Sequence, residues 1–383
     1  MSLAATALLA LLATANPPSL AEAARAVAQK LPASADGNLP PGAVAPLSSY
    51  RSALRAQADA ALAPLPADAA PGRMQRAVLE AFAAQSVAPE KEREGWGAVA
   101  FRVAGLASVS VASPPHHPDL RALQMVVGVY DCGDDTMLRV YRHDGAAWRP
   151  ILAEHAAEIR SIADGLGSLT WALTSRLGDG SLLALTAWDT PWCSSNWHTL
   201  SYRAWKVTGS GARKVGQGDF FAMTGEGFEA RGDRDSVWLH SVVHQDLDDG
   251  RLTRRRILRF SLAGDTLVRR DPVAPDPADF LGEWVESGWT DAELWSETPD
   301  FVHHWHEQLS AVTRPGQGCS CELPMAERCS GGGERWHLVL ECEAMDGKCS
   351  LPEALHFDVA RAGPGMRVRS ISTTPAPCAS APK

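Results

Sequence analysis

The chain has 383 residues, with 36 Lys and Arg against 45 Asp and Glu and a formal net charge of −9. At 45% hydrophobic and 21% charged it can bury a real core, which excludes a disordered chain. The acidic balance argues against a nucleic-acid binder, which gathers Lys and Arg against phosphate, and the length suits two or three domains of about 100–200 residues.

Met1 to Ala15 reads MSLAATALLALLATA. The apolar run from Leu3 to Ala13 is shorter than the roughly 20 residues a membrane helix needs. With Ala13-Thr14-Ala15 as a cleavage site, 1–15 is expected to be a signal peptide and Asn16 the mature start, although no Lys or Arg precedes the run. No later stretch is long and apolar enough for a transmembrane segment. Residues 16–94 are rich in Ala and Pro and form a helical region or a spacer. Helices are expected over Ser19–Leu31, Leu47–Leu62 and Arg73–Val87, and in the third Met74, Val78, Leu79 and Phe82 make one stripe. Pro40-Pro41 and the stretch from Pro64 to Pro71 separate them.

From 95 to 275 the texture turns to β. Short β-branched and aromatic runs alternate with Gly and Asp turns, and a unit of about 57 residues recurs three times. Leu123–Asp131, Leu182–Asp189 and Val237–Asp246 end in acidic turns. Met137–His143, Leu200–Thr208 and Arg256–Leu262 follow them, then short strands near Trp148–Ile151, Arg213–Gly216 and Thr266–Arg269. A first strand fits before each unit, around Val99–Val111, Ser168–Ser175 and Gly227–Arg231. Four-stranded meanders of this size resemble the blades of a β-propeller; with three of them, a sandwich or a curled sheet fits as well. The fold expected is therefore multidomain and mainly β, with meander repeats that are propeller-like or sandwich-like.

Asp271 to Asp279 is a Pro-rich joint, and 276–383 reads as a small disulfide-rich α+β domain. Asp276 caps a helix with Pro277 in its first turn, burying Phe280, Leu281, Trp284 and Val285. A second helix runs from Thr298 to about Val312, with Phe301, Trp305, Leu309 and Val312 expected inside. Strands follow over Cys321–Cys329, Arg335–Glu343, Ala354–Ala360 and Met366–Ser372. Of eight cysteines, six lie in this domain, and Cys319-x-Cys321 lacks the paired Cys-x2-Cys spacing of a zinc site. Disulfides in an oxidising compartment, periplasmic or extracellular, are the better reading. Hairpin register pairs Cys321 with Cys342. The equivalent positions of two meander units pair Cys132 with Cys193.

Sites are harder to find. The sequence has no G-x-S-x-G, no phosphate loop and no H-E-x-x-H. His303, His306 and Glu307 on one helix face are ligand types suited to zinc, but their order breaks the known metalloprotease motifs, so a solvated face is preferred. The acidic turns Asp131–Asp135 and Asp246–Gly250 would suit calcium, yet Asp-Gly is a preferred hairpin turn without an ion. Arg254-Arg255-Arg256 reads as edge protection. The segment from Trp188 to Trp205 stands out: Trp192 and Trp197, with Asp189, Asn196 and His198, combine aromatic faces with polar groups as sugar-binding sites do. The function expected is an exported, non-catalytic binding or scaffolding protein without a cofactor, its ligand a carbohydrate or a protein partner. The alternative is an exported hydrolase, metal-assisted through zinc or calcium.

Overall fold

The computed structural model describes residues 19–30, 42–85, 106–130, 133–155, 169–189, 197–223, 227–244, 253–312, 319–322, 326–330, 333–344 and 349–375. The expected signal peptide, Cys132, Trp192, Cys193 and Asn196 lie outside these residues, and with them the Cys132–Cys193 pairing. The chain divides into two compact units, Met1–Gly167 and Ser168–Lys383. Among the described residues no helix is long and apolar enough to cross a membrane.

The first unit sets three helices on a meander. Its elements are α1 (Leu20–Ala28), α2 (Val44–Leu62), α3 (Pro71–Ala84), β1 (Leu106–Ala112), β2 (Leu120–Tyr130), β3 (Gly133–His143) and β4 (Trp148–His155). α1 opens with a capping box: the Ser19 hydroxyl accepts from the Glu22 amide, and the Glu22 carboxylate accepts from the Ser19 amide. The four strands pair in chain order as an antiparallel sheet. Leu47 and Leu54 of α2 and Met74, Val78 and Phe82 of α3 share one core with Leu123, Met125, Tyr141 and Trp148 of the strands. The helical stripe read from the sequence thus faces this sheet.

Polar contacts pin α2 to β3. Arg51, 3% exposed, pairs with Asp135, 2% exposed, its Nη2 donating to Oδ1 at 2.7 Å. One turn pair further on, Asp59 accepts from Arg139 at 2.6 Å and from the Tyr141 hydroxyl at 2.7 Å. Burial holds the Tyr141 phenol well above its ordinary range, so it remains a donor. Asp135 of the acidic turn therefore has a guanidinium as its partner. Removing one side of such a buried pair leaves the other charge uncompensated, at a cost of about 3–5 kcal/mol.

In the second unit, β5 (Leu169–Leu173), β6 (Leu182–Asp189), β7 (Trp197–Thr208), β8 (Gly211–Met223), β9 (Glu229–Gly232), β10 (Ser236–His244), β11 (Thr253–Ala263) and β12 (Thr266–Arg270) make one eight-stranded sheet. Its order is β12-β11-β10-β8-β7-β6-β5, with β9 added to β10. The three meanders therefore do not stand as three blades. The first keeps its own sheet, whereas the second and third merge. β8 runs for 13 residues, far past the short strand expected over Arg213–Gly216, and its Ala222 reaches Val243 of β10. Among the described residues no sheet closes on itself. The eight-stranded sheet curls until β9 lies against β5. A Cβ on Gly232 would meet the Leu173 carbonyl oxygen at 1.9 Å, so glycine is required by the close approach of two backbones.

The rest of this unit holds α4 (Pro277–Glu286), α5 (Trp289–Leu294), α6 (Pro299–Val312), β13 (Cys319–Glu322), β14 (Glu327–Arg328), β15 (Arg335–Ala344), β16 (Ala354–Ala362) and β17 (Gly365–Ser372). The strands form an antiparallel sheet ordered β13-β15-β16-β17, with β14 on β15. Asp276 caps α4, and Phe280, Leu281, Trp284 and Val285 are all at 0% exposure. Cys321 stands directly opposite Cys342 and is bonded to it, and Cys319 is bonded to Cys349. Cys329 is also in a disulfide, and no cysteine among the described residues is free.

α6 differs from expectation. Val302, His306 and Leu309 form its buried face, Trp305 is half-buried, and Phe301 is 61% exposed. The helix is turned so that an imidazole enters the core. It does so at little cost because His306 Nε2 bonds the Trp284 carbonyl at 3.0 Å. The arginines of β11 also differ. β11 lies between β10 and β12, not at an edge, and Arg254 is 3% exposed.

Candidate functional site

Strand alternation sorts the residues of the Trp-rich segment. β6 pairs with β7 through Trp188↔Ser201 and Asp189↔Leu200, and β7 with β8 through Trp197↔Met223, His198↔Ala222 and Thr199↔Phe221. Asp189 and His198 therefore share the face of Ala187, Leu200 and Ala222, which is the core of the curled sheet. Each is 8% exposed. Trp197 takes the opposite face. The structure thus brings Asp189 and His198 to one side and sets Trp197 on the other.

On that outer face Trp197 is joined by a residue the sequence reading missed. The Phe221 ring stacks on Trp197 with centroids 5.5 Å apart and planes 16° from parallel, and Phe221 is 54% exposed. The same face carries Thr199, Ser201 and Asp219 beside the pair, and the Arg203 guanidinium lies 4.5 Å over the Trp188 ring. The result is an aromatic ledge flanked by hydroxyl and carboxylate groups. Phe220-Phe221 held the clue: consecutive residues of a strand point to opposite faces, so one of two adjacent phenylalanines must leave the core. Phe220 packs inward.

The histidine helix does not gather a ligand set. His303 Nε2 lies 3.6 Å from Glu307 Oε1 on the exposed side of α6. His306 faces inward, edge-on to Trp284 at 4.8 Å, and burial lowers its pKa against the pull of the Trp284 and Ser287 carbonyls. Trp289 contacts both imidazoles, His303 at 4.1 Å and His306 at 5.2 Å, placing apolar surface where a shared ion would bind. Among the described residues, no group of three His, Cys, Asp or Glu side chains is placed to hold a metal ion. The Asp246–Gly250 turn lies outside the described residues.

Two further charged clusters are present. A polar hollow of about 430 Å³ lies between the β7–β8 and β11–β12 turns. Its Lys206 pairs with Asp179 at 2.8 Å and Asp265 at 2.9 Å, and Arg213 with Asp265 at 3.1 Å. These charges satisfy one another and leave no net pull on an ion. The second cluster is structural. Glu283 of α4, at 0% exposure, accepts from Arg254 at 2.5 Å, Arg256 at 2.7 Å and Arg269 at 2.5 Å. Burial alone would raise its pKa, but the three guanidinium charges outweigh that and hold the carboxylate ionised far below its usual range. Arg254 also pairs with Glu286, and Arg269 with Asp291.

No protein-family model matches the chain, and no curated protein matches its sequence.

Proposed function

We propose that the chain is an exported, non-catalytic binding protein whose contact surface is the ledge of Trp197 and Phe221, with Thr199, Ser201 and Asp219 supplying polar contacts. The observation that carries this reading is the exposed Phe221 ring stacked on the half-buried Trp197 ring, on the face of the sheet opposite the core that holds Leu200 and Ala222. Large rings left in water are costly, and a sheet that needed them for folding would turn them inward. A flat pair of rings matches the C–H face of a pyranose, while neighbouring hydroxyl and carboxylate groups match its hydroxyls. The disulfides of the C-terminal sheet accord with an oxidising compartment, the periplasm or the exterior.

The test is a tryptophan-fluorescence titration with a panel of soluble polysaccharides, comparing the native protein with Phe221→Ala and Trp197→Ala. Saturable binding weakened about tenfold or more by Phe221→Ala, with an unchanged melting temperature, is the expected outcome. Binding that is indifferent to both substitutions, or a Phe221→Ala variant that loses stability while no polysaccharide binds, overturns it.

A further inference from the structure

The solvent face of the C-terminal sheet carries a histidine pair that plays no part in the core or in the ledge. His337 of β15 lies opposite Asp358 of β16, and His356 lies two residues away on β16, opposite Val339, so the two imidazoles are diagonal neighbours on one face. Their planes are within 5° of parallel, and His337 Nε2 lies 3.2 Å from His356 Nδ1. Both rings are half-buried.

We propose that His337 and His356 form a two-histidine site for one divalent d-block cation, such as Zn²⁺, Ni²⁺ or Cu²⁺, with water completing the coordination. Imidazole nitrogens bind zinc at about 2.0–2.1 Å, so two corners of a tetrahedral site are about 3.3 Å apart, and the pair already stands at that bite. Each ring turns modestly about its Cβ–Cγ bond to aim its lone pair, and the hydrogen between the rings moves to the far nitrogen of the imidazole that donates it. The backbone under the pair is held on both sides: β15 is tied to β13 by the Cys321–Cys342 bond, and β16 is paired along its length with β17. Imidazole donors favour these ions over magnesium or calcium.

The charges around the pair admit a cation. Asp358 is clamped by Arg335 at 2.6 and 2.5 Å, and Arg369 stands 3.9 Å from it. Glu327 of β14 faces His337 across the sheet, and Glu341 of β15 lies diagonal to His356. Three carboxylates thus face two guanidinium groups.

The experiment uses the full chain without a polyhistidine tag, titrated with ZnCl₂ and NiCl₂ by calorimetry at about pH 7.5, and with Cu²⁺ followed by electron paramagnetic resonance. One equivalent should bind, with hyperfine coupling to two nitrogens, and His337→Ala and His356→Ala should each weaken it about tenfold or more. His303→Ala should leave it unchanged. Binding only above about 1 mM, or binding that survives loss of either His337 or His356, overturns the proposal. Should a variant fold poorly, the nitrogen coupling in the native protein decides: signals from fewer than two nitrogens overturn it.

Discussion

Glu283 shows what a single side chain can hold in place. It is a carboxylate at 0% exposure, surrounded by Arg254, Arg256 and Arg269 from two strands. Its charge is tolerable only because three hydrogen-bonded cations replace the water it has lost, and those cations depend on it in turn. Glu283→Gln keeps the shape but removes the charge that all three share. The expected loss is about 3–5 kcal/mol, the range for breaking a buried ion pair. In a unit of this size that lowers the melting temperature by about 10 °C, measured by circular dichroism. A change within about 2 °C would mean that water solvates the arginines and the cluster is not dry.

At the scale of the element, α4 is docked on β11 by a second, pH-sensitive contact. Asp276, the N-cap, accepts from the Asp279 amide, and Arg255 reaches both carboxylates. Burial, and then the Asp276 charge, push the Asp279 carboxyl up to about 6 from an ordinary 3.8. A carboxyl raised on folding binds its proton more tightly in the folded chain. Its stabilising contribution is complete below 3.8 and is lost as pH rises through about 6. Folding free energies of the native protein and Asp279→Asn, measured by urea denaturation across this window, should diverge. The native protein loses on the order of 1–3 kcal/mol relative to the variant as pH rises. His240, His306 and His356, whose pKa values are lowered, act in the opposite sense but cancel in the difference. A difference that does not change with pH would place the Asp279 proton elsewhere.

For the whole molecule, the clearest feature is that each unit has a core among its own described residues. Among the described residues, the helix-and-meander core is built from residues between Leu20 and Trp148, and the two cores of the second unit from residues between Ala172 and Ile371. Fragments 16–167 and 168–383 should therefore each fold, with a cooperative thermal transition of its own. The disulfides between Cys319 and Cys349 and between Cys321 and Cys342 span 30 and 21 residues. Opening one such loop costs about 3 kcal/mol. A reductant should thus lower the transition of fragment 168–383 by several degrees. A 168–383 fragment that melts without cooperativity would show that its sheets need the first unit.

Local pattern determined much of this protein. The Met74–Phe82 stripe, the Asp276-Pro277 helix start, the strand over Leu182–Asp189 and the opposition of Cys321 to Cys342 depend on neighbours in sequence or across one hairpin. A period, a cap or a register suffices to read them. What depends on distant partners was decided only by the tertiary structure. The merging of two meanders needs Ala222 to meet Val243, and the burial of Arg254 needs Glu283, supplied by a helix far along the chain. The turn of α6 that exposes Phe301 and buries His306 needs the Trp284 carbonyl. The candidate site divides in the same way. Trp197 stood out by composition, but its separation from Asp189 and His198, and its stacking on Phe221, follow from which face of a curled sheet encloses the core. Sequence alternation assigns residues to two faces; only packing says which of the two faces water.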